Sequence, residues 1–293
     1  MTPFSLQLQD LSVRYRTVTA VDHLSFEVPA GTITGLLGRN GSGKTTLLSV
    51  AAAFRKPSGG RVLVNGQEPF ENAEVMAGIS LVREGGDLPD LRVGEALRYM
   101  ADTRSTWDAD LAGRLLERFR LPAKRSVQAL SRGQRSAVGA IIGLASRAPL
   151  TMFDEVYLGM DAPTRQAFYD ELLQDYMAHP RTIVLSSHLI EEVERLFEQV
   201  VIIDGGRLLL QDEAEALRDR GVTVTGPHAA AEAFARPYPV LRSRRLGGTS
   251  EITLYGTLDH EAEAQARDLG LELGRVAIQD LFIHLTDQRK EAR

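Results

Sequence analysis

The sequence feature that most constrains this chain is the run Gly38-Arg39-Asn40-Gly41-Ser42-Gly43-Lys44-Thr45-Thr46, set between an apolar strand-like stretch, Thr32 to Leu37, and a helix-like one, Leu47 to Phe54. Glycines at this spacing specify a tight loop whose successive main-chain N–H groups point inward at an anion, a conformation that glycine permits. A helix starting near Lys44 adds its positive end to the same place. Gly38, Asn40, Gly41, Ser42 and Gly43 are therefore candidates for cradling phosphate oxygens. Lys44 is the candidate for reaching the β- and γ-phosphates of a nucleotide, Thr45 for a Mg2+ ligand and Thr46 for a further phosphate contact. Arginine dominates the basic residues of the chain, which makes a lysine at this one position harder to ascribe to chance.

Composition narrows the remaining classes. With 43% hydrophobic and 25% charged residues in 293, the chain can bury a core and is not expected to be disordered. It has no cysteine, which excludes a disulfide scaffold and thiolate-held zinc or iron–sulfur centres. A formal net charge of -5 argues against a general electrostatic grip on nucleic acid, and no nucleic-acid partner is expected. The N-terminus, Met1-Thr2-Pro3-Phe4-Ser5, lacks a basic region followed by an apolar stretch, so no signal peptide is expected. No apolar run approaches the roughly 18–20 residues that span a bilayer, and the protein is expected to be cytoplasmic.

Strand-like and helix-like segments alternate through most of the chain. Leu6, Leu8, Leu11 and Val13 mark one strand, Leu24, Phe26 and Val28 a second, and Arg61 to Val64 another that ends in the turn Asn65-Gly66. Residues 93–121, 132–147, 161–178 and 189–198 read as helices. Leu150 to Phe153, Ile183 to Leu185 and Val200 to Ile203 read as short buried strands. Such alternation predicts a mostly parallel, covered sheet. Past residue 220 the texture changes to strand-like runs, an alanine-rich helix, a helix near 260–268 and a closing segment Val276 to Leu285. Residues 221–293 are expected to form a small α+β appendage and residues 1–220 the main domain.

Downstream of the phosphate loop lie Leu130-Ser131-Arg132-Gly133-Gln134 ahead of a helix, Pro149-Leu150-Thr151-Met152-Phe153-Asp154-Glu155 at a strand end, then Leu158-Gly159-Met160-Asp161 and Ser186-Ser187-His188. This ordered set resembles the nucleotide-binding domain of ATP-binding cassette (ABC) transporters over about residues 5–220. The resemblance implies an α/β P-loop NTPase cassette: a mixed N-terminal β-subdomain, a parallel-sheet core and a helical subdomain at about 93–147. It implies ATP with Mg2+, and hydrolysis. By the same resemblance Asp154 would hold Mg2+ and Glu155 would polarise the attacking water. His188 would contact the γ-phosphate, and Asp161 would face an opposite protomer. Ser131, Gly133 and Gln134 belong to the signature that caps a partner's nucleotide, and Tyr15 stands where the family often stacks an aromatic ring on adenine. Phosphoryl transfer asks for charge neutralisation and an aligned nucleophile, which an Asp–Glu pair at a strand end can supply.

Two departures stand out. Arg132 replaces the second glycine usual in the signature, though Ser131 and Gly133 remain, so the signature is expected to work. The loop at residues 81–90 contains no glutamine, where the family uses one near the metal. Arg83 or Glu84 takes that position. Only Glu84 has an acceptor to offer a metal shell. Val156 also replaces a common proline. The implied assembly is a homodimer sandwiching ATP, joined to separate membrane-spanning permease subunits through residues near 81–100, on the inner face of the cell membrane. The end of the chain, Ile278 to Leu285, looks like that of many bacterial exporter ATPases, or is an amphipathic helix closing its own domain. A soluble or regulatory ABC ATPase not engaged in transport is the alternative function.

Overall fold

Three strands with every residue buried, Ile33–Leu37, Leu150–Asp154 and Thr182–Ser187, set the architecture, because strands apolar on both faces require cover on both sides of their sheet. The computed structural model describes residues 2–85, 88 and 90–291. It divides into two compact units: Met1–His188 with Arg195–Gln211, and Leu189–Glu194 with Asp212–Arg293.

The first unit opens with β1 (Leu6–Tyr15) and β2 (Val18–Val28), continues through β3 (Ile33–Leu37) into α1 (Lys44–Ala51), and adds β4 (Gly59–Val64), α2 (Ala73–Ala77) and β5 (Ile79–Arg83). Three helices follow: α3 (Val93–Asp102), α4 (Ala109–Arg118) and α5 (Arg132–Ser146). Then come β6 (Leu150–Asp154), α6 (Ala162–Ala178), β7 (Thr182–Ser187), the short α7 (Ile190–Val193, counted with the second unit), β8 (Gln199–Asp204) and β9 (Arg207–Glu213, its last two residues counted with the second unit). β2, β1 and β4 form an antiparallel sheet; β5-β6-β7-β3-β8-β9 form the second, with β5, β6, β7, β3 and β8 paired in parallel. Leu6, Leu11, Leu24 and Val62 from the first sheet share one core with Leu36, Met152, Val184 and Val201 from the second and Leu47 and Leu48 of α1. Asn65 and Gly66 both take positive φ, 51° and 77°, as the turn sequence predicts. They close only a single bridge, Val64 to Gln67, so β4 pairs with β1 rather than with a hairpin partner.

The structure breaks the helix expected over 93–121. Asp108 caps α4 by accepting from Leu111 N at 2.8 Å, and its own N–H donates to Ala145 O at the end of α5. Tertiary bonds thus satisfy the connecting backbone better than a continuous helix would. The helix expected over 189–198 shrinks to α7 and a 3-10 turn at Glu194–Leu196.

A buried charge cluster fastens the helices of this unit. Asp175 of α6 meets Arg181 at 2.7 Å and Arg147 at 3.1 Å, and Arg147 also meets Asp108 at 2.7 Å. Arg181 is almost fully buried, and that burial, the leading influence on it, pulls its pKa below the usual guanidinium value. Asp175→Ala leaves this cation buried without its closest carboxylate. It is expected to lower unfolding stability by about 3–5 kcal/mol, measured as a shift of the urea midpoint at unchanged slope.

The second unit continues with α8 (Ala214–Arg218), β10 (Gly221–Pro227), α9 (His228–Ala235), β11 (Val240–Leu246), β12 (Thr249–Tyr255), α10 (His260–Asp268), β13 (Glu272–Arg275) and α11 (Ile278–Glu291). Its antiparallel sheet runs β11-β12-β10-β13, and the order of elements is a split βαββαβ motif. Val224, Ile252 and Leu254 pack with Phe234, Ala262, Ala266 and Leu271. α11 belongs to this unit: Glu194 accepts from Ile278 N, Arg242 donates to Asp280 at 2.8 Å, and Leu281 is buried. The α+β appendage of the sequence analysis is thus present. The unit boundary lies at Gln211/Asp212, ahead of the 220/221 division drawn from sequence texture. Among the described residues no helix is long and apolar enough to cross a membrane.

Candidate functional site

β3 delivers the chain into the glycine loop at the carboxyl edge of the parallel sheet. Gly43 has φ of +107°, and a Cβ there would lie 2.5 Å from Ala20 O, so the position requires glycine. α1 begins without a side-chain cap, so its first N–H groups are left to face the loop. Lys44 is nearly buried and folds over the loop, donating to Gly38 O at 2.7 Å and Arg39 O at 3.2 Å. Ser42 Oγ is buried with no hydrogen-bond partner among the described residues, a free hydroxyl inside an otherwise tight cradle.

The acidic pair sits at the end of β6. Asp154 is buried and accepts from Ser186 Oγ at 2.6 Å, and the same Ser186 oxygen accepts from Glu155 N at 3.1 Å. Glu155 has φ of +50°, an uncommon conformation for a residue other than glycine. That bend turns its carboxylate toward Lys44 Nζ at 3.2 Å and His188 Nδ1 at 3.1 Å. Lys44, Glu155 and His188, from three separate segments, thus form one contiguous set. Tyr15, Asn40, Gly41, Gly43, Thr45 and Thr46 line the same groove as Lys44 and Glu155. The Arg55 guanidinium lies 3.7 Å from the centroid of the Tyr15 ring and covers one of its faces.

A second groove holds the other predicted residues: Ser131, Gly133, Gln134 and Asp161, with Gly159 and Met160 between. It shares no lining residue with the first. Ser131 caps α5 by accepting from Gln134 N, and Gln134 Oε1 accepts from Ser131 N, a reciprocal capping box. Asp161 caps α6 by accepting from Thr164 N at 2.9 Å. The hydroxyl and N–H of Thr164 beside it hold its carboxyl below the usual carboxylate range. A Cβ on Gly133 would sit 2.0 Å from Gly159 O, so backbone there touches backbone.

Glu84 departs from expectation. Its N–H donates to Asp154 O, which places the residue beside the acidic pair, yet its carboxylate is ion-paired with Arg132 and lines neither groove. The carboxylate expected to serve as a metal-shell acceptor is here engaged by an arginine. Gly86, Asp87 and Pro89 of this loop lie outside the described residues.

Several functional neighbours escaped the sequence analysis. Ser186 locks both acids through one hydroxyl; its signal was a serine pair ending an otherwise apolar strand, opposite Asp154 in the β6–β7 register. Ser136 accepts from Gly85 N and donates to Leu158 O, joining α5 to the loops after β5 and β6. Arg55 had no local signal.

The donor set fits a triphosphate with a hard divalent cation. One ammonium, a helix start, an unpartnered buried hydroxyl and glycine-lined space are groups that suit phosphates, and Asp154 and Thr45 carry oxygens of the kind such a cation takes.

A family model described as ABC transporter matches residues 21–157. The Nod factor export ATP-binding protein I of Ralstonia nicotianae is 30% identical over 305 residues, covering 96% of this chain and 93% of that protein. A daunorubicin resistance ATP-binding protein of Streptomyces coeruleorubidus is 26% identical, covering 99% of this chain and 98% of its own length. Among solved structures, an ATP-binding subunit of an ABC transporter superposes with a TM-score of 0.63 at 24% identity over 73% of this chain and 91% of its own, a likeness of fold. The chain belongs to the ABC transporter family, as an ATP-hydrolysing nucleotide-binding subunit.

Proposed function

We propose that this subunit drives export, as a pair of identical chains on the inner face of a cell membrane, beneath separate membrane-spanning subunits. The observation that carries the paired arrangement is the division of phosphate-handling residues between two grooves of one chain, each incomplete alone. A head-to-tail pair with two-fold symmetry would set the Lys44 loop of each chain against the Ser131 helix start of the other and bury two ATP molecules. The export direction is supported by the relatives. The Nod factor export and daunorubicin resistance proteins match this chain over nearly its full length, second unit included.

The residues then divide the work. The glycine loop and Lys44 hold the β- and γ-phosphates, and Tyr15, backed by Arg55, offers its open face to the base. Asp154, fixed by Ser186, and Thr45 would hold Mg2+, whose contribution is neutralisation of phosphate charge. Glu155 accepts a proton from water as its oxygen bonds to the γ-phosphorus, and the bridging oxygen departs with ADP. With Nδ1 turned to Glu155, the opposite nitrogen of His188 is the one that can meet the γ-phosphate. The groove lined by Phe54, Met76, Leu81, Leu88, Met100 and Arg104 is the proposed seat for the membrane subunit, and Phe54 in its lining is more than half exposed.

Glu155→Gln mixed with Mg-ATP is expected to elute from a sizing column as a dimer, and as a monomer with ADP. A persistent monomer under ATP would overturn the paired arrangement. Recovery of a polytopic membrane protein with the tagged chain from detergent extracts tests the membrane partner.

A further inference from the structure

The two departures from the family pattern, Arg132 and Glu84, are partners. Arg132 is the first residue of α5, directly after the capping Ser131, and its guanidinium is ion-paired with the Glu84 carboxylate. The two ends of the pair differ in setting. Glu84 is about three-quarters covered, whereas the Arg132 side chain is 65% exposed. The carbon stem of Arg132 runs past Gly159, where an added Cβ would lie 3.2 Å from Arg132 Cγ. Arg132 therefore stands between two lining residues of that groove, Ser131 and Gly133, with its stem against the loop that follows Glu155 and its cation on Glu84 outside the groove.

We propose that Arg132 is a switchable phosphate ligand. In the single chain Glu84 holds and neutralises it; in the ATP-bound pair it leaves Glu84 for the γ-phosphate bound by the partner. The proposal rests on the paired arrangement argued above. A triphosphate carries more charge than a carboxylate and offers several acceptors, so a planar guanidinium on the residue between Ser131 and Gly133 gains by the exchange. Glu84 then acts as a brake. Its carboxylate competes with ATP for the cation and keeps unliganded chains from presenting a bare positive charge to one another. The exchange also reports to the membrane side, because Glu84 follows Arg83 and Leu81 of the proposed docking groove. It does not lean on the helix start alone, since Ser131 and Gln134 already occupy each other there.

The test is the protein concentration of half-dimerisation at saturating Mg-ATP, in full-length protein carrying Glu155→Gln, by analytical ultracentrifugation. Arg132→Gln is expected to raise it about tenfold, the worth of one charge-assisted contact, and Glu84→Gln to lower it about three- to tenfold. In the Arg132→Gln background, Glu84→Gln should change nothing. The charge swap Glu84→Arg with Arg132→Glu restores a pair within the chain but leaves a carboxylate at the groove, and should dimerise worse than Arg132→Gln. Arg132→Lys should recover part of the loss. Fluorescent-ATP binding to the monomer, which reads the Lys44 loop alone, checks that each variant is folded. The proposal is overturned if both single variants weaken the dimer, if neither alters it, or if the charge swap restores it, since each outcome describes a merely structural pair. If the Glu155→Gln parent itself never dimerises, the paired arrangement falls, and this switch with it.

Discussion

Glu155→Gln is expected to lower steady-state ATP turnover by about 100- to 10,000-fold, the range for loss of a positioned general base. The substitution changes little else. Glutamine fills the same volume, can still accept from a neighbour through its amide oxygen, and imposes no new demand on the φ of +50° at this position. It cannot take a proton from water. Affinity for ATP should meanwhile hold or rise a few-fold. In the single chain Lys44 spends part of its charge on Glu155 at 3.2 Å, and that attraction must be given up before the ammonium turns wholly to phosphate. An amide asks less of it. Low turnover with tight binding is what allows the ATP-bound pair to accumulate. Steady-state phosphate release and nucleotide titration, on the isolated chain and on the complex with its membrane partner, separate the two effects. Wild-type and variant rates that coincide in both preparations would favour a regulatory nucleotide-binding module over a transport motor.

Much of this site is legible because its signals are local. The glycine loop, Lys44 and the first turn of α1 lie within one short stretch, and β6 announces itself by the apolar run Leu150 to Phe153 followed by Asp154 and Glu155. What was hidden depends on register between distant segments. Nothing near Ser186 in sequence says that its hydroxyl will lie beside Asp154; only the parallel pairing of β6 and β7 does. Glu84 was read as a metal-shell acceptor because its side-chain chemistry allowed it, and its ion-pair partner, Arg132, went unread because it is remote along the chain. The break between α3 and α4 was missed because it is decided by Asp108 bonding to the end of α5. In the second unit the edge strand β11 is largely exposed and carries little alternation, so the βαββαβ order emerges only from the pairing. Local chemistry was readable, and contacts made by topology were not.

Gly133→Ala should separate nucleotide binding from hydrolysis. In the native backbone the new methyl carbon would stand 2.0 Å from Gly159 O and 2.8 Å from Gly159 C, distances that no rotamer can relieve, because both partners are main chain. Either the start of α5 or the loop from Glu155 to Asp161 has to move. The loop is the softer of the two. Its Gly159 sits at φ of +81°, whereas α5 is buried along most of its length and its start is fixed by the Ser131–Gln134 capping box. Moving the loop disturbs Asp161 and the Leu158 carbonyl that Ser136 holds, and opens the Ser131 groove that must close over a partner's nucleotide. Forced overpacking of this kind costs about 1–3 kcal/mol, a loss that leaves the core of the first unit standing. The Lys44 loop is not part of the clash. Fluorescent-ATP affinity of the single chain should therefore stay within about twofold, while ATP-driven dimerisation and turnover fall by about 100-fold or more, as a misplaced positioning element implies. A variant that hydrolyses ATP at the wild-type rate would show that the contact between Gly133 and Gly159 has no part in closing the site.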